Sequence, residues 1–244
     1  MKRKHRIAAV SVAALLAGVA YWWSLASPNY LPPDSSAFVA QFTPPPAQNS
    51  AQARAEVAEL LAIQAARTAA SRDAARADRK KDIRQFYRAL GLDPATEGTL
   101  APLRDFMQRV EGDVSIYVRA AKRRFARPRP YVVELKLQPC IGDVADNQSY
   151  PSGHSTYGYV AALLLADMVP ERRAQLLARA DEFAHQRMVC GVHYASDIAA
   201  GRRAAAWLRT AFPESENFRV DEQEAARVLR AALVLPPAQL APDS

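Results

Sequence analysis

The sequence has little of what marks several common protein classes. No segment shows sustained alternation of apolar and polar residues, and no internal repeat is visible in the 244 residues. After residue 23 no apolar run is long enough to cross a bilayer. These absences argue against a β-sheet fold, a repeat array and a polytopic membrane protein.

The excess of positive charge is concentrated at the start of the chain. The formal net charge is +7, but residues 1–26 hold four Lys or Arg and no acidic residue, which leaves +3 for the remainder. The basic character therefore belongs largely to the N-terminal segment. It does not indicate a nucleic-acid partner.

Residues 1–26 have the layout of an export signal. Basic residues precede an apolar run from Ile7 to Trp23, and Ser24-Leu25-Ala26 supplies small residues where a signal peptidase cleaves. We expect cleavage and a periplasmic or secreted protein. The alternative is an uncleaved anchor, because the run is near the lower limit for a span and its aromatic end suits an interface. Only then would the protein contact a membrane.

The rest of the chain predicts helices. Residues 27–50 are rich in proline and should be extended and irregular. An alanine-rich helical segment follows, and the cleanest apolar stripe runs from Leu103 to Val118. Further helices are predicted at about 152–168, 171–187, 191–210 and 221–234, and residues 131–133 are the best extended piece. The predicted fold is all-α: a single compact helical-bundle domain, residues 51–244, after the export segment and the proline-rich stretch.

One motif combines a helix start with groups that suit an anion. Pro151-Ser152-Gly153-His154 precedes a long apolar run, so Ser152 and Gly153 should lie at a helix N-terminus, where free N–H groups favour a phosphate. His154 adds a group that exchanges a proton near neutral pH. Together they predict a phosphate site with its own acid.

A second motif supplies a base and more cations. His193 and Asp197 are four residues apart and would share one face of a helix, where the carboxylate can hold one imidazole nitrogen. An imidazole oriented in this way is a candidate nucleophile. Arg187 can bind an oxyanion with two hydrogen bonds, and Lys122 and Arg129 add two further cations.

The ordered set resembles a known family. Six residues separate Lys122 from Arg129-Pro130, and the motif at 151–154 follows. Five residues then separate Arg187 from His193, and three separate His193 from Asp197. This order is similar to the three-part motif of the type 2 phosphatidic acid phosphatase superfamily, which includes vanadium haloperoxidases. The local text at 149–154 and 189–194 most resembles the bacterial class A non-specific acid phosphatases. One departure is Gln186, where the family usually has serine.

The resemblance implies a metal-independent acid phosphatase that hydrolyses small phosphomonoesters and releases inorganic phosphate. In that family His193 would attack phosphorus, Asp197 would hold its ring, and His154 would protonate the leaving oxygen. Lys122, Arg129, Ser152, Gly153 and Arg187 would hold the phosphate oxygens. Relatives form homo-oligomers. The alternatives are a vanadium-dependent haloperoxidase that uses the same anion site, and a protein that binds phosphate esters without turnover.

The remaining histidines and the cysteines complete the set of candidate residues. His185 has no place in the motif, and three cations near His154 and His193 repel a divalent ion, so no metal and no cofactor are expected. Cys140 and Cys190 are the 2 cysteines. In an exported protein we expect a disulfide between them; the alternative is two buried thiols.

Overall fold

The computed structural model describes residues 29–142 and 147–236, so the predicted export segment lies outside the described residues. Within these two ranges the chain forms α-helices, short 3-10 helices and no strand, with a single antiparallel bridge between Pro128 and Gln148. The prediction of an all-α fold is confirmed. The α-helices in chain order are α1 Ser36–Ala40, α2 Ala51–Ala66, α3 Ala69–Ala77, α4 Tyr87–Leu90, α5 Ala101–Phe125, α6 Pro130–Val133, α7 Gly153–Met168, α8 Arg173–Val189, α9 Ala195–Ala211 and α10 Glu216–Ala232. The 3-10 helices are Ile83–Phe86, Pro94–Leu100, Pro170–Arg172 and Phe212–Glu214.

Helix α7 lies at the centre of the bundle and is buried on nearly all faces. Its apolar residues include Val160, Leu164 and Leu165, each with no exposed surface, as expected of a helix that is apolar all round. It packs mainly between α8 and α9. A Cβ added at Gly158 would lie 2.8 Å from the ring of Phe183 in α8, so glycine allows the two helices to approach closely.

Helix α5 carries the apolar stripe predicted from Leu103 to Val118. One face of it is buried against α7 and α10, and its last turn bears Lys122. The helix ends at Ala126, which has a φ of 47° in the left-handed region. The chain then turns back across the end of the bundle, where the remaining motif residues lie.

The structure corrects several details of the sequence prediction. The proline-rich stretch is not wholly extended, because Ser36–Ala40 forms α1 and its Phe38 is fully buried in the core. Residues 131–133 are helical, in α6 with Pro130 at its first position, so the prediction of an extended piece there was wrong. The last helix begins at Glu216, capped by the Ser215 side chain, rather than near residue 221.

A disulfide joins Cys140 to Cys190, which confirms the predicted pairing. It links the loop that follows α6 to the end of α8, and the Cys140 N–H also donates to the Cys190 carbonyl at 3.2 Å. The bridge therefore holds two segments that approach the motif residues from different parts of the chain. Among the described helices, none has the length and apolar character that a membrane span requires.

Candidate active site

The motif residues converge on one open cavity of about 420 Å³ at the end of the bundle. Three chain segments carry the predicted site residues to it: the last turn of α5 with the loop behind it, the N-terminus of α7, and the end of α8 with its link to α9. The residues of the predicted site that line it are Lys122, Arg129, Gly153, His154, Arg187 and His193; the other lining residues are Arg79, Lys81, Ser115, Val118, Arg119, Ile141 and Gly142. The structure thus brings together predicted site residues that are up to 71 positions apart in the sequence, from Lys122 to His193.

Short backbone pairing fixes the loop after α5. The Ser149 N–H donates to the Arg127 carbonyl at 2.8 Å, and the Arg129 N–H donates to the Asn147 carbonyl at 3.0 Å. The Lys122 ammonium also donates to the Gln148 carbonyl. These bonds tie the segment from Lys122 to Arg129 to the residues just before Pro151. Lys122 and Arg129 therefore lie near the N-terminus of α7.

The motif Pro151-Ser152-Gly153-His154 forms the start of α7, as predicted. Ser152 is the N-cap, and its hydroxyl accepts a hydrogen bond from the Ser155 N–H at 3.3 Å. Pro151 lies immediately before the cap. The Ser152 N–H donates to the Asp197 carbonyl at 3.1 Å, so the N-terminus of α7 is attached directly to the first turn of α9.

Gly201 makes that attachment possible. A Cβ at this position in α9 would lie 2.8 Å from the Ser152 carbonyl oxygen and 2.7 Å from the Ser155 Cβ. Because backbone cannot move aside as a flexible side chain can, only glycine fits here without displacing α7. The position of the Ser152 cap relative to the first turn of α9, which carries Asp197, depends on this contact.

His193 and Asp197 are in contact, but not through the shared helical face that their spacing suggested. Helix α9 begins at Ala195, so His193 lies before it and Asp197 is in its first turn. Nδ1 of His193 is 3.2 Å from Oδ2 of Asp197, which also accepts from the Tyr194 N–H at 2.9 Å. The carboxylate thus acts as a helix-start acceptor and as the partner of the imidazole.

The second ring nitrogen of His193 faces a cation. Nε2 is 3.1 Å from Nη1 of Arg129, which also donates to the Val192 carbonyl at 2.9 Å. Because a guanidinium only donates, Nε2 holds a lone pair and Nδ1 carries the proton. Burial lowers the pKa of His193 well below its usual value, and the charges of Arg129 and Lys122 lower it further. These effects favour the neutral ring.

Arg187 is the most deeply placed cation of the cavity. It is 2% exposed, and in the described part of the chain its Nε and Nη1 have no hydrogen-bond partner. Burial, with a contribution from the charge of Arg129, lowers its pKa to about 10, so it remains charged at neutral pH. A buried guanidinium with unpartnered donors in the lining of a cationic cavity suits an anion.

His154 also lines the cavity, on the first turn of α7. Its Nε2 lies 2.8 Å from the Arg79 carbonyl oxygen, which can only accept, so Nε2 carries a proton and Nδ1 is the nitrogen that gains or loses one. Burial lowers the pKa of His154, the Arg187 charge lowers it further, and the Arg79 carbonyl opposes the change. The charge of Lys81 also lowers the pKa of His154.

Sequence reasoning missed two buried charged residues next to the site. Arg127 binds the second oxygen of Asp197, and Glu56 of α2 binds Arg127. A glutamate in an alanine-rich helix carries no local signal for this role, and Arg127 is not one of the residues of the family pattern. His185 is exposed on α8, away from the cavity lining, and Gln186 is buried beside Arg187.

Comparisons with known proteins agree with this geometry. Residues 113–214 match the family model described as the PAP2 superfamily. The chain is 40% identical over 91 residues to a non-specific acid phosphatase of Salmonella typhimurium, covering 36% of each chain. It is 35% identical over 115 residues to an acid phosphatase of Zymomonas mobilis, covering 46% of this chain and 44% of the relative. The aligned segments therefore span less than half the length of these two relatives.

A solved structure has a similar fold. A bacterial vanadium-dependent iodoperoxidase matches 74% of this chain and 54% of its own with a TM-score of 0.50 at 19% identity, a likeness of fold alone. The segment that matches the family model contains Lys122, Arg129, the motif at 151–154, Arg187, His193 and Asp197. The segment 113–214, which carries all of these residues, is similar to the PAP2 superfamily.

Proposed function

We propose that this protein is an acid phosphatase that hydrolyses small phosphomonoesters through a phosphohistidine on His193, without a metal ion or other cofactor. The observation that carries the proposal is the buried guanidinium of Arg187. Its Nε and Nη1 have no acceptor in the described chain, and Arg187 lines the cavity together with Lys122, Arg129 and His193. The named activities of the acid phosphatase relatives support it.

The cations would bind the phosphoryl group and stabilise its transition state. Lys122, Arg129 and Arg187 supply positive charge from three sides, and the Gly153 N–H at the start of α7 adds a backbone donor. The Ser152 hydroxyl would turn from its cap toward a phosphate oxygen. In other phosphoryl-transfer enzymes magnesium supplies much of this charge, which here comes from side chains.

In the first step the Nε2 lone pair of His193 attacks phosphorus, and a P–N bond forms as the ester P–O bond breaks. His154 gives the Nδ1 proton to the leaving oxygen, so the alcohol departs neutral. Asp197 balances the positive charge that develops on the His193 ring. In the second step neutral His154 takes a proton from water, the water oxygen bonds to phosphorus, and the P–N electron pair returns to Nε2. Inorganic phosphate leaves.

Localisation and domain limits are part of the proposal. We infer that residues 1–26 direct export, that 27–50 form the connecting stretch, and that 51–244 form the phosphatase domain. The disulfide supports a periplasmic or secreted location, because such bonds persist in oxidising compartments.

The proposal is tested with mature protein and a chromogenic phosphomonoester in excess EDTA. We expect turnover to persist, and rapid quenching at high pH should trap substrate-derived phosphate on His193. His193→Ala should lose both turnover and label. His185→Ala is the matched control, since this exposed histidine lies outside the cavity lining, and it should retain both. Turnover that requires added zinc or magnesium, or a label on another residue, would contradict the mechanism. Halide oxidation with vanadate and no phosphatase turnover would support the haloperoxidase alternative.

A further inference from the structure

Arg127 connects the site to a helix outside the segment that defines the family. It follows α5 and is buried, with Nη1 2.7 Å from Oδ1 of Asp197 and Nη2 2.8 Å from Oε2 of Glu56. Its guanidinium also lies over the ring of Tyr194, 3.8 Å from the centroid. Contacts on both edges and one face leave this side chain a single position.

Glu56 is equally constrained on its other oxygen. Its Oε1 accepts a hydrogen bond from the Ser196 N–H at 2.6 Å, in the first turn of α9. Arg127 Nη1 also donates to the Ser196 hydroxyl at 2.7 Å. Glu56 is 6% exposed, so its carboxylate is buried between the Arg127 guanidinium and the helix-start N–H of Ser196. Helix α2 is thereby attached to the residues that carry the imidazole partner.

Asp197 therefore uses both oxygens. Oδ1 is held by Arg127, and Oδ2 is held by the Tyr194 N–H and by Nδ1 of His193. Burial alone would favour the protonated carboxyl and raises its pKa, whereas the charge of Arg127 opposes that change. A neutral Asp197 would not balance a charged imidazole, and a rotated one would leave the ring in the wrong tautomer.

We propose that Glu56 and Arg127 are positioning residues for phosphoryl transfer, which keep Asp197 ionised and hold its Oδ2 against Nδ1 of His193. The inference rests on the proposed function of His193. The four side chains form a buried series, with Arg127 between the two carboxylates and His193 at its end. Glu56 fixes Arg127, Arg127 fixes Asp197, and Asp197 orients the ring. Neither Glu56 nor Arg127 lines the cavity, so they act through Asp197 and not on the substrate.

The test compares Arg127→Met and Glu56→Gln with Arg230→Met. Arg230 is a matched control, because it is 5% exposed and paired with Glu171 and the Met168 carbonyl near the other end of α7. We expect Arg127→Met to lower kcat roughly 10- to 100-fold, as when the partner of an orienting group is lost. KM and inhibition by phosphate should change less than threefold. Glu56→Gln should have a smaller effect, because an amide still accepts from Ser196.

Two further measurements separate positioning from general support of the fold. Arg127→Met should move the acid limb of the pH–kcat profile to higher pH, because Asp197 protonates more readily without the Arg127 charge. The other groups that face Asp197 are His193, Lys122 and the Tyr194 N–H. Nitrogen NMR of the His193 ring should show one tautomer in the wild type and a mixture in the variant, whether or not the enzyme turns over. If Arg127→Met does not fold, Glu56→Gln and Arg127→Lys are measured in the same way.

Each outcome decides the proposal. Activity that falls only in proportion to thermal stability, as in Arg230→Met, or an unchanged pH limb and tautomer, would overturn it. A wild-type protein with no turnover and no phosphohistidine would instead reject the proposed function, while the tautomer measurement would still report on the positioning. Turnover in the wild type with full kcat in Arg127→Met would reject the positioning role alone.

Discussion

Nε2 of His193 lies 3.1 Å from the Arg129 guanidinium, while Nδ1 of the same ring lies 3.2 Å from the Asp197 carboxylate. The imidazole is thus held between a cation and an anion, with its lone pair on the side of the cations. Burial, and then the charges of Arg129 and Lys122, lower the pKa of His193 and favour the neutral ring. An anion bound among the same cations would lie next to Nε2.

The first prediction is an acid-side, bell-shaped pH profile. His193 must be neutral to attack, so activity is lost as pH falls through its pKa, which lies well below the usual value. His154 must be protonated, so activity is lost as pH rises through its pKa, which is also below the usual value. Rates measured for one ester from pH 3 to 9 should peak below neutrality. A peak above pH 8 would be incompatible with these roles.

The second prediction concerns Lys81, which lines the cavity and lowers the pKa of His154. Lys81 is paired with Glu111 and Ser115. Replacing Lys81 by Gln removes a positive charge that disfavours the His154 imidazolium. The alkaline limb of the kcat profile should therefore move to higher pH. Lys81→Arg keeps the charge and should leave the limb in place; an equal movement in both variants would rule out this cause.

The third prediction concerns the close contact at Gly201. Gly201→Ala should lower both thermal stability and kcat, because the added Cβ would lie 2.8 Å from the Ser152 carbonyl and must displace the start of α7. Gly112→Ala is the control, since a Cβ there meets nothing within 4 Å. In the middle of α5 alanine should stabilise by up to about 1 kcal/mol. Full activity and unchanged melting in Gly201→Ala would show that the helices can separate without cost.

The fourth prediction concerns the disulfide. Replacing Cys140 and Cys190 together by Ser removes a cross-link between residues 50 apart. The chain-entropy model assigns about 4 kcal/mol to a loop of that length. The midpoint of urea unfolding should fall, and the wild type treated with reductant should behave like the double variant. An unchanged midpoint would mean that the surrounding packing alone holds these segments.

The fifth prediction concerns a buried carboxylate that does not line the cavity. Asp113 is 1% exposed and accepts from the Tyr30 N–H at 2.8 Å, and burial raises its pKa to about 6. The folded state then binds this proton more tightly than the unfolded state, so its contribution to stability declines as pH rises from about 4 to about 6. The loss is on the order of 2–3 kcal/mol.

Asp113→Asn should therefore raise the melting temperature at pH 8 and change it little at pH 4. Asp221→Asn is the contrasting variant, because Asp221 is paired with Arg109 at 2.7 Å and accepts from the Tyr30 hydroxyl. It should not stabilise the protein at pH 8. Equal effects of Asp113→Asn at both pH values would show that the group does not titrate in this range.

The sequence by itself determined the helical class and the identity of the motif residues. The apolar stripe of α5 from Leu103 to Val118 and the cap at Ser152 are local signals, since helix period and helix start depend on near neighbours. Lys122, Arg187 and His193 could be selected because their order and spacing match a family pattern.

Only the tertiary structure decided how these residues meet. The start of α9 at Ala195 places His193 outside that helix, so its contact with Asp197 depends on a turn and not on helical spacing. The pairing of Glu56 with Arg127 joins residues 71 positions apart, and the Arg79 carbonyl meets His154 across 75. Such contacts depend on how whole helices pack, because no local pattern specifies which buried charge a distant segment will meet.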